Sequence, residues 1–272
     1  MTLPSCEHFR IGAVSYLNTK PLVYRLAELA PQSELGFDLP SRLADRLGNG
    51  EFDVALIPSI ETLQSDTYAI ISDACIACRG AVWSVRLLSR VPFDEVRKIA
   101  MDEGSRTSVA LTAILFDQHF KRVPETSHLP IDRDPLSVDT DAVLIIGDRA
   151  MNCSSREFPY DWDLGEQWTR LTGLPFVFAM WTARREANLN GLEFQLAQAR
   201  DAGLEELDAI AREESQHYNL TFEQCLTYLR DHLHFQLGPR ECEGLALFRQ
   251  YAVQMGLAPT DVDINFYDCK AT

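Results

Sequence analysis

The 272-residue sequence predicts an α/β fold of two lobes with a helical C-terminal segment, and three observations carry that prediction. Short apolar runs alternate with stretches of helical period as far as Trp181; Pro92 interrupts the alternation and separates two such units; and from Asn188 to Gly256 the pattern is helical alone. In chain order, Ile11 to Ser15 reads as a strand and Pro21 to Ala30 as a helix with Leu22, Leu26 and Leu29 on one face. A short strand around Leu35 to Leu39, a helix entered at Ser41 and a strand from Asp53 to Ile57 follow. Two longer extended runs, Tyr68 to Cys78 and Ala81 to Leu88, precede the break.

The second unit opens with a strand from Lys98 to Met101 and a helix from Ser105 to Phe120, and it contains the strand Ala142 to Ile146. Between these, residues 123–141 carry Pro124, Pro130 and Pro135 and read as loop and short strand. The run Leu174 to Trp181 suits a buried strand. In the tail, Leu189, Leu192 and Leu196, then Phe222, Leu226, Leu229 and Leu233, then Leu245, Phe248 and Tyr251 recur at helical spacing. Thr221-Phe-Glu-Gln224 reads as a capping box. The expected division is one lobe from residues 1–90 plus 183–272 and an inserted lobe from 91–182, with a ligand cleft between them.

Composition excludes several partners. With 40 Asp+Glu against 25 Lys+Arg, the net charge is −15, and a field of that sign disfavours nucleic acid and anionic membrane surfaces. No apolar run is long enough for a signal-peptide core or a membrane span, so a soluble cytoplasmic protein is expected. The seven cysteines are odd in number and scattered, which suits reduced thiols. Cys75 and Cys78 have C-x-x-C spacing without a second ligand pair and read as small buried strand residues. No dinucleotide or Walker-type loop is present, no metal set is recognisable, and no cofactor is expected.

Three segments share one geometry in which a buried strand ends, small polar residues follow and a helix begins. They are Val14-Ser-Tyr-Leu-Asn-Thr-Lys-Pro21, Ala55-Leu-Ile-Pro-Ser-Ile-Glu61 and Asp102-Glu-Gly-Ser-Arg-Thr-Ser108. Such turns lie at the carboxyl ends of strands, where α/β sheets bind ligands, and free amides at helix starts attract anions. Asn18 or Thr19, Ser59 and Ser105 are equally what ordinary helices use as N-caps, so only their joint occurrence points to a site. Arg106 opposes the helix dipole in a first turn, which suits an anion anchor or a surface pair with Asp102 or Glu103. Gly104 reads as a turn position needing backbone freedom, and Asp148 ends its strand either at the crevice or as a helix cap. None of the six histidines falls in these turns, so proton-transfer groups are scarce.

Six ordered stretches resemble the chorismate dehydratases, the menaquinone biosynthetic enzyme A family of the futalosine route. They are Val14-Ser-Tyr-Leu-Asn-Thr-Lys-Pro-Leu22, Asp53-Val-Ala-Leu-Ile-Pro-Ser-Ile-Glu61, Gly80-Ala-Val-Trp-Ser-Val85, Asp102-Glu-Gly-Ser-Arg-Thr-Ser-Val-Ala-Leu111, Ala142-Val-Leu-Ile-Ile-Gly-Asp148 and Leu171-Thr-Gly-Leu-Pro-Phe-Val-Phe-Ala179. The resemblance runs from Ile11 to about Trp181, and the helical tail adds little to it. It implies a type II periplasmic-binding-protein-like fold and a carbon–oxygen lyase that removes water from chorismate to give 3-[(1-carboxyvinyl)oxy]benzoate. It also implies Asn18 as the catalytic contact, with Ser15, Tyr16, Ser59, Ser84, Ser105, Arg106, Thr107, Ser108 and Asp148 around a dicarboxylate substrate. The shortage of bases then suggests that the substrate's own side-chain carboxylate takes the proton. Two other readings share the fold: a sister enzyme, the dihydroxynaphthoate synthase, whose expected opening pattern and His are not recognisable here, and a non-enzymatic binding protein, normally exported. The oligomeric state is left open.

Overall fold

A computed structural model describes residues 8–153 and 157–267. Cys6 and Cys269, read as reduced thiols, lie outside the described residues. The elements run β1 (Arg10–Val14), a 3-10 segment (Leu17–Val23), α1 (Leu26–Leu29), β2 (Glu34–Asp38), α2 (Pro40–Gly48), β3 (Val54–Pro58), α3 (Ser59–Gln64), β4 (Tyr68–Cys78), β5 (Val85–Ser89), β6 (Lys98–Asp102) and α4 (Arg106–Phe120). They continue with β7 (Glu125–Leu129), a 3-10 turn (Pro135–Ser137), β8 (Ala142–Ile146), α5 (Asp148–Asn152), β9 (Tyr160–Asp163), α6 (Leu164–Thr172), β10 (Phe176–Arg184), α7 (Leu192–Glu205), α8 (Leu207–Glu214), α9 (Phe222–Thr227), a π turn (Tyr228–His232), β11 (His234–Gln236) and α10 (Pro239–Gln254).

Two mixed sheets organise these elements. The first has the order β11-β4-β10-β3-β1-β2 and the second β7-β6-β8-β5-β9. In each sheet the strands that run into ligand-side turns pair in parallel, β1 with β2 and β3, and β6 with β7 and β8. The chain passes from first sheet to second after β4 and returns before β10. Sheet membership differs from the expected division at both ends. β5 pairs antiparallel with β8 and β9, so it belongs to the second sheet, and all of β10 pairs with β3 and β4 in the first. The run Ala81 to Leu88 is not one strand either: residues 81–84 form the crossing turn, with Trp83 at φ 65°.

Local chemistry explains most elements. β3 and β8 are buried at every position, as their continuous apolar runs require of strands covered on both faces. Thr221 and Gln224 form the expected reciprocal capping box. The helix read over Pro21 to Ala30 is instead a 3-10 segment and one short α turn, because Tyr24 is extended and Arg25 left-handed at φ 53°. Cys75 and Cys78 are fully buried free thiols of β4, and burial pushes both thiols up. Among the described residues no helix is long and apolar enough to cross a membrane.

Candidate active site

The three polar turns meet. A cavity of ≈ 50 Å³ between the sheets is lined by Tyr16 and Asn18 from the first turn, Pro58 from the second, and Ser105, Thr107 and Ser108 from the third. Ser84 of the crossing turn and Gly147 at the end of β8 complete its polar side, while Val14, Ile76, Val82 and Phe178 supply apolar walls. Among the described residues no Lys, Arg, His, Asp or Glu lines it.

Each polar group is held by a traceable contact. Ser105 caps α4, its Oγ accepting from the Ser108 amide at 3.3 Å, and α4 directs the positive end of its dipole at the cavity. The Arg106 and Thr107 amides, in the first turn, are ones an α-helix leaves without an intrahelical acceptor. Thr107 Oγ1 accepts from the Ile60 amide at 3.3 Å, joining α4 to α3. Ser84 is positioned from behind: Asp163 accepts the amides of Val82 at 2.9 Å and of Trp83 at 2.6 Å, clamping the turn in which Trp83 has its unfavourable positive φ. Burial nevertheless pushes the Asp163 carboxyl above its ordinary value, against the backbone amides that favour its charged form.

The largest addition comes from the tail. Tyr228 is fully buried, donates its hydroxyl to Ser84 Oγ at 2.8 Å, and has the Asn18 side chain at the same oxygen. Trp83 packs edge-on against its ring at 5.7 Å. Tyr228 opens a π turn, a distortion that helices use to re-aim side chains. The sequence signal existed, since a tyrosine within an apolar helical stripe needs a partner for its hydroxyl.

Several residues expected in the site stand elsewhere. Arg106 turns away from the cavity and bonds Asp45 at 2.7 Å and Glu61 at 2.9 Å, so it pairs with neither Asp102 nor Glu103 and its charge is already met. Ser59 is fully buried but gives its proton to the Val177 carbonyl at 2.7 Å, and Ser15 is exposed. Asp148 is not in the lining; it accepts the Leu17 amide at 3.1 Å. Gly104 is needed for close approach rather than freedom, because a Cβ there would stand 3.1 Å from the Tyr16 hydroxyl. That hydroxyl is buried, borders the cavity and has no hydrogen-bond partner among the described residues. Gly147 needs both: its φ is 66°, and a Cβ would meet the Tyr16 ring at 2.8 Å.

Two sheets around such a cleft define the class, a periplasmic-binding-protein-like fold. Solved structures agree: a protein from Archaeoglobus fulgidus aligns with a TM-score of 0.75 at 17% identity, covering 94% of this chain and 100% of that one. The periplasmic aliphatic sulphonate binding protein of Escherichia coli aligns with a TM-score of 0.62 at 15% identity, covering 95% and 96%. Within that class the chain belongs to the menaquinone biosynthesis family, which it matches over residues 9–254. The chorismate dehydratase of Thermus thermophilus is 30% identical over 223 residues, 75% of this chain and 81% of that protein.

Proposed function

We propose that this chain is an enzyme, a chorismate dehydratase that eliminates water from chorismate to form 3-[(1-carboxyvinyl)oxy]benzoate. The observation that carries the reading is a cleft of hydroxyls, one carboxamide and a helix start, with no carboxylate, histidine or basic side chain in its lining among the described residues, in a chain of this family. In the reaction, the ring carbon bearing the enolpyruvyl ether loses a proton, the neighbouring C–O bond breaks, and the released electron pairs complete an aromatic ring. The proton and hydroxide leave together as water.

The substrate has two carboxylates, and the cleft suits them differently. As the proton leaves, charge spreads through the ring onto the ring carboxylate. The first turn of α4, with the hydroxyls of Ser105, Thr107 and Ser108, offers fixed dipoles to that charge. The enolpyruvyl carboxylate meets no cation among the described residues of the lining, and so keeps the basicity to take the proton itself. Asn18, with Ser84 and Tyr228 fixing its surroundings, orients the reacting part, and the unpartnered Tyr16 hydroxyl is a further donor for the substrate. The cavity lies between the two sheets, and movement of one against the other would admit and enclose substrate.

The test is incubation of the purified chain with chorismate, with ultraviolet detection and mass identification of the product. Formation of the aromatic enol ether with loss of one water is expected. Binding without conversion supports a solute-binding role and removes the reading.

A further inference from the structure

One carboxyl beside the cleft has no part in the chemistry above. Asp148 opens α5 directly after β8 of the second sheet, and its Oδ1 accepts the Leu17 amide, 3.1 Å away, from the segment that follows β1 of the first. Leu17 immediately precedes Asn18. The same seam is closed one residue earlier on each side, where the Tyr16 ring lies so close to Gly147 that no Cβ would fit. α5 also reaches the tail that supplies Tyr228, since Asn152 donates to the Tyr218 carbonyl at 3.1 Å.

Asp148 is bound unlike a structural carboxylate. Among the described residues no Lys, Arg or His is within ion-pair distance of it, and the nearby Lys20 is held by Glu214 at 2.8 Å. A single amide with no counter-ion makes a bond that can form and break as the lobes meet and part.

We propose that Asp148 is a positioning residue that couples lobe closure to catalysis: by accepting the Leu17 amide only when the two sheets are together, it sets the 17–19 turn and aims Asn18 at the enclosed substrate. The open protein then lacks a correctly placed Asn18, and chemistry waits for closure. Burial lifts the Asp148 carboxyl to about 7, opposed by the Leu17 amide and by Lys20. Tyr16, Tyr218, Tyr228 and Cys225 are the other titratable groups that feel its charge.

The kinetic half of this proposal rests on the dehydratase reading, so its test has an arm that needs no turnover. In ligand-free protein, amide hydrogen exchange at Leu17 is expected to speed up about tenfold or more in Asp148→Ala and by less than about threefold in Asp148→Asn, which keeps an acceptor oxygen. With chorismate, Asp148→Ala is expected to lower kcat about tenfold with KM within about threefold, Asp148→Asn to restore turnover, and Asp148→Ala to cost nothing further in an Asn18→Ala background. Near-UV circular dichroism checks each fold, and Asp148→Ser, too short to bridge the seam, replaces Ala in both arms if Ala unfolds the chain. Unchanged Leu17 exchange, losses that multiply with Asn18→Ala, or an Asn variant as damaged as Ala would overturn the proposal. A wild type that leaves chorismate untouched removes the dehydratase reading, while the exchange arm still decides the Leu17 contact.

Discussion

Two strands of the second sheet lead to an aspartate, buried at Asp102 and half-buried at Asp148, and the two turns they enter are built in opposite ways. Asp102, at the end of β6, has no exposed side-chain surface and accepts four bonds: the Gly104 amide at 2.9 Å, the Ile146 amide at 3.2 Å, and Arg149 Nε and Nη2 at 3.1 and 2.8 Å. Asp148, just past β8, accepts one. Burial raises both carboxyls, but at Asp102 an arginine opposes it, whereas Asp148 has only an amide and a lysine that is paired elsewhere. The first aspartate is held wholly by groups of its own lobe, although its turn also meets α2 through the Ser41 amide and Arg42, and it presents the start of α4 rigidly. The second spans the seam between sheets, where a bond that could not be broken would keep substrate out.

The largest effect that could break this contrast is on stability. Asp102→Ala leaves Arg149 without its carboxylate and strands two buried amides, and urea unfolding is expected to show a loss of about 3–5 kcal/mol. Asp148→Ala removes one bond, and its loss should be about 1 kcal/mol. Equal losses would erase the distinction.

The seam itself is tested next. Gly147→Ala must place a methyl group against the Tyr16 ring at a φ of 66°, so a loss of about 1–3 kcal/mol in the closed protein is expected, together with a fall in kcat/KM. Gly173, also left-handed at φ 70° but with open space around its Cβ, is the control, and its alanine variant should keep its kcat/KM.

A pH series sharpens the comparison. In the folded protein the Asp148 carboxyl is pushed up to about 7, from an ordinary value of 3.8 that it regains on unfolding. Between those values the folded state binds the extra proton, so this group makes the protein less stable as pH rises through that window. The stability of Asp148→Asn relative to wild type should therefore increase from pH 4 to pH 8, measured as the difference between their thermal or urea unfolding free energies. A difference flat with pH would mean that its surroundings do not disfavour the charged carboxyl.

The smallest expected effect is at Arg106, whose ion pairs with Asp45 and Glu61 lie at the rim. Arg106→Ala should cost about 1 kcal/mol or less and leave KM for chorismate nearly unchanged. A large rise in KM would return this residue to the substrate.

These cases also show what could be read in the residues alone. The alternation of apolar runs and helical stretches locates most strands, and the three polar turns do converge, because strand ends followed by helix starts have few places to go in an α/β sheet. For Arg106, anion anchor and surface pair could not be separated locally, since its carboxylate partners come from helices 61 and 45 positions earlier. Tyr228 was hidden in an ordinary apolar stripe, and only the π turn reveals that its hydroxyl faces Ser84. For Asp148, crevice and cap could not be separated from sequence, since the deciding contact is with a backbone amide 131 residues away.

The most direct measurement compares wild type with Asn18→Ala on chorismate, following the aromatic product under single-turnover conditions. Conversion by wild type to 3-[(1-carboxyvinyl)oxy]benzoate, slowed about a hundredfold in the variant while chorismate still binds, is the predicted result. Undiminished turnover by Asn18→Ala, or none by wild type, would contradict a cleft that works by placement and fixed dipoles around its substrate's own base.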